Sequence, residues 1–287
     1  MKIGMIAEML RLPLYESLDT AKAMGVTGVQ LYAVHGDHNF LEMSDDEFAK
    51  LKAYCENLGL DISAICCDLG GHGFADAAGN PVRIAKTKTI IDKAVMLGSK
   101  VLTTHIGVVP ADANDPEYAV MVAAMRECGE YAAERGAVLA IETGPEPATT
   151  LKRFLTDIDS KGCGINLDPA NLIMVCRDDP ARAVRTLAGH IVHTHAKDGV
   201  NLRPCDPAVV YKSFADGGFE KLVEDGGDIF REVPLGTGQV VWCDYLAALK
   251  EIGFEGYLTI EREVGDDPKA DIAMAIQFLK DHLAKLG

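Results

Sequence analysis

The strongest constraint in this sequence is an alternation between short apolar runs and longer segments with helical periodicity. Eight such pairs follow one another along the 287 residues. A short apolar run bounded by turn residues is typical of a buried strand, and apolar residues spaced three and four apart are typical of an amphipathic helix. The predicted strands span residues 2–7, 28–33, 62–69, 100–107, 138–144, 162–169, 191–198 and 256–263.

The predicted helices lie between these strands. Gly25, Gly98, Gly136 and Gly253 stand just before the next strand, where glycine suits the left-handed residue that ends a helix. Strands that alternate with helices pair in parallel through right-handed crossovers, and eight such units point to a closed barrel. The predicted helices span residues 15–24, 44–58, 80–97, 115–135, 147–160, 178–188, 240–252 and 268–285.

We therefore expect an α/β protein made of one (β/α)8 TIM barrel, with residues 1–287 in a single domain. The alternative, an open doubly wound sheet, usually carries a glycine-rich phosphate loop after its first strand, but residues 6–10 (IAEML) contain no glycine. Residues 199–239 form a long loop after the seventh strand, with a predicted short helix at 207–214. Such a connection at the carboxyl end of a barrel strand is typical of a functional loop.

Four strands end in residues that are unusual in a plain core. Side chains alternate between the two faces of a strand, so the aliphatic residues of these strands are expected outside, against the helices. The polar residues then point inward, and the strand ends bring together Glu142, Asp168, His195 and Glu261. His193 lies one layer below His195 and is expected to be a hydrogen-bonded core residue.

Three carboxylates in one confined site cannot all stay ionised without a counter-charge. One divalent cation is the simplest counter-charge, and carboxylates with one imidazole suit Mn²⁺, Mg²⁺, Zn²⁺, Co²⁺ or Fe²⁺. Shared protons, salt bridges or a place on the exposed rim are the alternatives for the same residues. The matching depth of the four residues on neighbouring strands favours the metal.

Five short motifs, taken together at their observed spacing, resemble the xylose isomerase-like TIM-barrel superfamily in its sugar phosphate isomerase/epimerase group. They are residues 141–143 (IET), 167–171 (LDPAN), 195–198 (HAKD), 234–238 (PLGTG) and 257–263 (YLTIERE). The resemblance implies that Glu142, Asp168, His195 and Glu261 bind one divalent metal. It also implies that Glu142 and Glu261 move a proton next to the carbonyl of a sugar, through a metal-stabilised enediolate, in an isomerase or epimerase.

Further residues near the predicted metal site are candidates for substrate binding. Asn171 and Lys197 follow two of the metal-binding residues, and Glu146 follows the fifth strand. An amide and an ammonium group at these positions would hold sugar oxygens. His105 ends the fourth strand and is expected to reach the site from the opposite wall.

The chain departs from the ketose 3-epimerases of this group at one substrate contact. Those enzymes place an arginine six residues after the metal-binding histidine, where this chain has Asn201, with Arg203 close by as a candidate. The residues that bind the substrate are therefore expected to differ from those of the ketose 3-epimerases. Residues 263–268 (EVGDDP) place three carboxylates after the eighth strand, where barrels often bind phosphate. We expect an unphosphorylated sugar, polyol ketone or glycoside.

Other functions are compatible with the same residues. A lyase or dehydratase acting on an inosose or a 3-keto-glycoside would use the same enolate chemistry. A non-catalytic sugar-binding barrel would be expected to lose ligands, and all four are present. An AP endonuclease-like protein would need further histidines after the seventh strand, but residues 204–235 contain none. The net charge of −15 also argues against binding nucleic acid.

The remaining sequence features concern location and partners. The chain has no run of about 18 apolar residues, so we expect no membrane partner. It has no apparent secretory signal, and its eight cysteines form no CxxC pair, which is typical of reduced thiols. We expect a cytoplasmic protein with a small carbohydrate substrate, and a homo-oligomer remains open.

Overall fold

The computed structural model describes residues 1–35 and 38–286 as a closed barrel of parallel strands surrounded by helices. The strands are β1 (Lys2–Ile6), β2 (Gly28–Tyr32), β3 (Val34–His35), β4 (His38–Asn39), β5 (Asp61–Cys66), β6 (Val101–Thr104), β7 (Val138–Glu142), β8 (Cys163–Leu167), β9 (Ile191–Ala196), β10 (Asp198–Asn201), β11 (Phe230–Val233) and β12 (Tyr257–Ile260). Around the barrel, the strand order is β1-β12-β9-β8-β7-β6-β5-β2, which confirms the predicted fold class.

A helix follows each barrel strand, close to the predicted bounds. Gly25 ends α1 at a φ of 83° and Gly98 ends α3 at a φ of 90°, left-handed positions that a side chain would strain. No helix of the described residues is long and apolar enough to cross a membrane. The helices are α1 (Leu14–Met24), α2 (Asp45–Leu58), α3 (Asn80–Leu97), α4 (Pro116–Glu134), α5 (Ala148–Ile158), α6 (Pro169–Asn171), α7 (Pro180–Thr186), α8 (Pro207–Ala215), α9 (Phe219–Gly226), α10 (Trp242–Glu251) and α11 (Pro268–Leu286).

The main hydrophobic core lies between the barrel and its helices. Leu139 and Ile141 of β7 belong to it, together with Leu258 and Ile260 of β12, and all four are fully or almost fully buried. Since side chains alternate along a strand, the residues between them face the inside of the barrel. The strand parity that the sequence predicted is therefore the observed one.

The long loop after the seventh barrel strand folds into more structure than predicted. The predicted strand over 191–198 ends two residues early, and Asp198 begins β10, which pairs antiparallel with β11. The predicted helix over 207–214 is α8, and α9 follows it without having been predicted. We call this loop, residues 199–239, the excursion. A second small hydrophobic cluster packs here and includes Met174, Val175, Val210 and Ile229.

Asp198 fastens the end of this excursion to the barrel. One of its carboxylate oxygens accepts hydrogen bonds from the backbone N–H of Gly236 at 2.9 Å and of Gly238 at 3.2 Å. The same oxygen accepts from the indole Nε1 of Trp242 at 3.0 Å. Trp242 is buried at the start of α10, so its indole anchors this helix to Asp198. The 234–238 motif is therefore a fixed turn beside the barrel mouth.

Candidate metal centre

The four predicted metal-binding residues meet at the carboxyl ends of four neighbouring strands. Glu142 ends β7, Asp168 directly follows β8, His195 lies near the end of β9, and Glu261 directly follows β12. One potential ligand atom from each of the four lies within 4.8 Å of the others. All four side chains are buried, with Asp168 fully inaccessible. This grouping excludes a set of separate rim carboxylates.

The imidazole of His195 lies at the centre of the three carboxylates. Its Nδ1 is 2.9 Å from Oε2 of Glu261, 3.5 Å from Oε1 of Glu142 and 3.6 Å from Oδ2 of Asp168. Burial disfavours a charge on the ring, but Glu261 and Glu142 outweigh it and raise the pKa of His195 well above its ordinary value. The negative electrostatic field of the carboxylates that favours a protonated His195 also attracts a divalent cation.

Two buried oxygens of the cluster fit a metal ion because they accept no hydrogen bond from any described residue. They are Oδ2 of Asp168 and Oε2 of Glu261, and the second has ionic contacts with His195 and Lys197. A buried carboxylate oxygen without a hydrogen bond is costly, and coordination of a cation removes the cost. Three carboxylates and one imidazole nitrogen are also ligands that Mn²⁺, Mg²⁺ and Zn²⁺ accept. The residues present therefore fit one divalent ion.

Gln30 orients the imidazole from across the barrel, a role that no sequence pattern predicted. Oε1 of Gln30 on β2 lies 3.2 Å from Nε2 of His195 and 3.0 Å from Nε2 of His193. An amide oxygen can only accept, so the contact with Gln30 favours a proton on Nε2 of His195, although Nδ2 of Asn166 also lies 3.1 Å from this nitrogen. In the neutral ring, a proton on Nε2 leaves the lone pair of Nδ1 directed at the carboxylates. Burial and then His195 lower the pKa of His193 to about 3, so His193 is the neutral core residue expected.

Two amides hold the carboxylate of Glu142. Nδ2 of Asn171 donates to Oε1 of Glu142 at 3.1 Å, and Nδ2 of Asn166 donates to Oε2 at 3.1 Å. Asn171 also donates to the carbonyl of Thr143 at 3.2 Å and lines the cavity described below. The structure thus brings the predicted Asn171 to the cluster, where it fixes a predicted metal ligand.

Lys197 neutralises the opposite side of the cluster. Its Nζ lies 3.4 Å from Oε2 of Glu261 and 3.8 Å from Oε2 of Glu232, and it also contacts Glu263. Burial opposes the ammonium charge, but Glu261 and Glu263 raise the pKa of Lys197 well above its ordinary value. Lys197 therefore stays charged beside Glu261.

His105 directly follows β6 and contacts Glu142 from the neighbouring strand, not from the opposite wall as predicted. Its Nδ1 lies 3.1 Å from Oδ2 of Asp68, and its Nε2 lies 3.6 Å from Oε1 of Glu142. Burial opposes protonation, but Glu142 and Asp68 raise the pKa of His105 to about 10. Because 39% of this side chain is exposed to the cavity, His105 can pass a proton to a bound molecule.

The structure does not bring Glu146 and Arg203 to the cluster. Glu146 accepts a hydrogen bond from the backbone N–H of Val109, and burial raises its pKa to about 8. Arg203 donates to the carbonyl of Gly227 at 2.9 Å. Neither side chain is among the described residues that line the cavity. Their predicted substrate contacts have no support from this geometry.

A cavity of about 1380 Å³ opens over the cluster. Glu142, Glu261, Asn171, Lys197 and His105 line its floor, whereas the other two predicted metal ligands, Asp168 and His195, lie beneath. Both glutamates can therefore touch a molecule in the cavity. The arrangement provides two carboxylates, a protonated lysine and a histidine around one cation site.

Comparisons with known proteins agree with this architecture. The xylose isomerase domain protein from Planctomyces limnophilus is 29% identical, with a TM-score of 0.77 over 94% of this chain and 92% of that chain. A D-tagatose 3-epimerase-like protein is 20% identical, with a TM-score of 0.77 over 100% of this chain and 98% of that chain. The probable 3-DHS dehydratase of petrobactin synthesis from Bacillus anthracis is 18% identical, with a TM-score of 0.75 over 98% and 99%.

The last two structures share the fold at low identity. None of the curated proteins is significantly similar to this chain. The sequence model described as xylose isomerase-like TIM barrel matches residues 18–282, which is most of the chain. This protein therefore belongs to the xylose isomerase-like TIM barrel family.

Proposed function

We propose that this protein is a divalent-metal-dependent sugar isomerase or epimerase that removes a proton next to a carbonyl. One observation carries the proposal: Glu142 and Glu261 belong to one buried cluster with cation-binding chemistry and also line the same cavity. Such an enzyme needs a base on one face of the substrate and an acid on the other. The two glutamates come from different strands and can flank a bound sugar.

The residues around the cluster support distinct tasks for the two glutamates. A divalent ion bound there would polarise the substrate carbonyl and stabilise negative charge on its oxygen. Glu142, held by two amides, is fixed to accept a proton from the neighbouring carbon. Glu261 lies beside Lys197, whose charge stabilises its ionised form, so it would accept a proton for the reverse direction.

A lyase is the second candidate, and the position of His105 favours it. In an elimination, a carboxylate takes the proton next to the carbonyl, and the bond to a hydroxyl or alkoxyl group on the next carbon breaks. That group leaves with its bonding electrons and needs a proton. His105 lines the cavity, and Asp68 at 3.1 Å orients its ring so that Nε2 can donate that proton.

The comparisons support both candidates. One structure with this fold is named for its likeness to a D-tagatose 3-epimerase, and another is named a probable dehydratase. An isomer keeps the mass of its substrate, whereas a dehydratase product loses water and a glycoside lyase product loses the aglycone. Product mass therefore separates the two reactions.

The proposal is tested by metal content and solvent deuterium uptake. Purified protein is stripped with a chelator, reloaded with Mn²⁺, Mg²⁺, Zn²⁺ or Co²⁺, and incubated in D₂O with ketoses, inososes and 3-keto-glycosides. We expect about one ion per chain and one deuterium in the recovered isomer. The variant Asp168→Ala should lose both, whereas Asp178→Ala, which removes a buried aspartate outside the cluster, should keep both. Undiminished turnover by the stripped protein would refute the proposal.

A further inference from the structure

Four aromatic side chains from the excursion after β9 form one wall of the cavity. We call Tyr211, Phe214, Phe219 and Phe230 the aromatic wall, and all four line the cavity. The rings of Phe214 and Phe219 are stacked with centroids 4.1 Å apart, and those of Phe219 and Phe230 are 5.6 Å apart. The wall is therefore a continuous surface of ring faces and edges.

The aromatic wall begins at the candidate metal centre. The ring of Tyr211 lies 6.1 Å from the ring of His105, whose Nε2 is 3.6 Å from Glu142. The next ring outward is Phe214, 6.2 Å from Tyr211. A molecule that reaches from Glu142 into the outer cavity must pass along these rings.

The cavity is larger than a single sugar requires. Pockets that enclose a drug-sized ligand have volumes of about 300–1,000 Å³, and a six-carbon sugar is smaller than such a ligand. The volume of about 1380 Å³ therefore leaves room beyond a sugar held at the floor. Glu142, Glu261, Asn171 and Lys197 are buried polar residues at the floor that could hold sugar hydroxyls, whereas other polar residues of the lining, such as Lys212, Asp228 and Arg231, are exposed to solvent.

The outer part of the aromatic wall exposes an apolar ring to solvent. Phe214 is 48% exposed, and phenylalanine has no polar atom with which to pair a hydroxyl group. Burying hydroxyl groups against phenylalanine without hydrogen bonds is unfavourable, whereas an aromatic ring gains from stacking there. The wall therefore suits a planar apolar group better than a second sugar.

We infer that the substrate is a carbohydrate that carries an aromatic substituent, with the sugar at the metal centre and the aromatic ring against the wall. This rests on the proposed function only in placing the sugar at the cavity floor. A keto-glycoside of a phenol or of a related aromatic aglycone, whose sugar ring keeps a carbonyl for the metal centre, is the chemical class that meets both requirements.

The inference is tested by equilibrium binding to the metal-loaded protein. The probes are phenyl β-D-glucopyranoside, methyl β-D-glucopyranoside and cellobiose, measured by calorimetry. We expect the phenyl glycoside to bind at least about tenfold more tightly than the methyl glycoside. Phe214→Ala and Phe219→Ala should reduce that ratio several-fold, and Val209→Ala should leave it unchanged. Val209 is a matched control because it lies on α8, is 45% exposed and does not line the cavity.

Each other outcome would overturn the inference. Equal binding of the phenyl and methyl probes would show that the wall does not select an aromatic group. Cellobiose binding as tightly as the phenyl probe would make the wall a second sugar subsite. If Phe214→Ala changed only the sedimentation coefficient, the wall would be a contact between copies of the chain. Circular dichroism confirms that each variant folds.

The same experiment keeps this inference separate from the proposed function. Turnover of a free ketose by a protein without preference for the phenyl probe would support the function and refute the aromatic substituent. A strong phenyl preference in a protein that takes up no deuterium from D₂O would do the reverse. The binding assay itself requires no turnover.

Discussion

Oε1 of Gln30 lies 3.2 Å from Nε2 of His195, although the two residues are 165 positions apart in the chain. The contact joins β2 to β9 through the inside of the barrel. Because the amide oxygen accepts the Nε2 proton, it leaves Nδ1 unprotonated in the neutral ring and directed at the three carboxylates. Gln30 would therefore act on a bound metal through the orientation of His195, without being a metal ligand itself.

Gln30→Leu should weaken binding of Mn²⁺ by about 10–100-fold, which is typical when a group that orients a metal-bound histidine is lost. Calorimetric titration of the stripped protein measures the change. Gln239→Leu is the control, since Gln239 accepts a backbone hydrogen bond from Asn201 outside the cluster. Unchanged affinity in Gln30→Leu would show that the amide does not orient the ring for a metal.

Asp168→Ala and His195→Ala should remove the metal and abolish turnover while the barrel stays folded. Both residues lie at the mouth of the barrel, away from the hydrophobic layer under the helices that stabilises the fold. Elemental analysis and circular dichroism check the two parts of this prediction. Stoichiometric metal in the double variant would show that the ion binds elsewhere.

Glu146→Gln should change the pH dependence of stability. The carboxyl of the unfolded chain ionises near pH ~4.3, whereas burial raises its pKa in the fold to about 8. Between these values the folded state keeps a proton that the unfolded state has lost, so wild-type stability falls as the pH rises through this window. Glutamine has no such proton to lose, and its side-chain oxygen can still accept the hydrogen bond from the backbone N–H of Val109.

The free energy of unfolding is measured in urea from pH 5 to 9 for the variant and the wild type. As the pH rises over this range, Glu146→Gln should gain stability relative to the wild type by on the order of 1–3 kcal/mol. The exposed Glu255 supplies a control variant, Glu255→Gln, which should follow the wild-type profile. If Glu146→Gln and the wild type kept a constant difference over this range, Glu146 would be ionised throughout and the buried site would tolerate its charge.

A free sugar should be used better than its phosphate ester. The ammonium of Lys197 is already surrounded by Glu232, Glu261 and Glu263, so it is not available to a phosphate dianion. These carboxylates repel a second negative charge near the floor. The ratio of kcat/KM for D-fructose and D-fructose 6-phosphate, or for another ketose and its phosphate, measures the preference. Much faster turnover of the phosphate would contradict it.

Much of this architecture could be predicted from residue patterns alone. The alternation of apolar runs and amphipathic segments determines a parallel barrel, and strand parity then decides which side chains face inward. For that reason the sequence alone is sufficient to group Glu142, Asp168, His195 and Glu261. Their mutual distances depend on barrel closure, which local sequence does not encode.

The features that could not be predicted depend on contacts between distant segments. Gln30 is an ordinary strand residue by sequence, and only the closed barrel places it beside His195. Glu146 follows Glu142 by four residues, much as Asn171 follows Asp168 by three, yet the backbone N–H of Val109 donates to the Glu146 carboxylate and holds it away from the cluster. The seventh strand predicted from the apolar pattern extended as far as Asp198. In the structure, Asp198 instead begins β10, which pairs with β11 in a separate hairpin.

The most direct test of the account is proton transfer by Glu142→Gln and Glu261→Gln at saturating Mn²⁺. Glutamine keeps the size of the side chain but cannot accept a proton. With the site filled, turnover and deuterium exchange should remain about 10²–10⁴-fold below wild type in at least one variant, as is typical for loss of an acid–base group. Glu8→Gln, which changes a glutamate beyond β1 that does not line the cavity, should exchange at the wild-type rate. Full recovery of turnover in both Glu142→Gln and Glu261→Gln by excess metal would show that neither glutamate carries the proton.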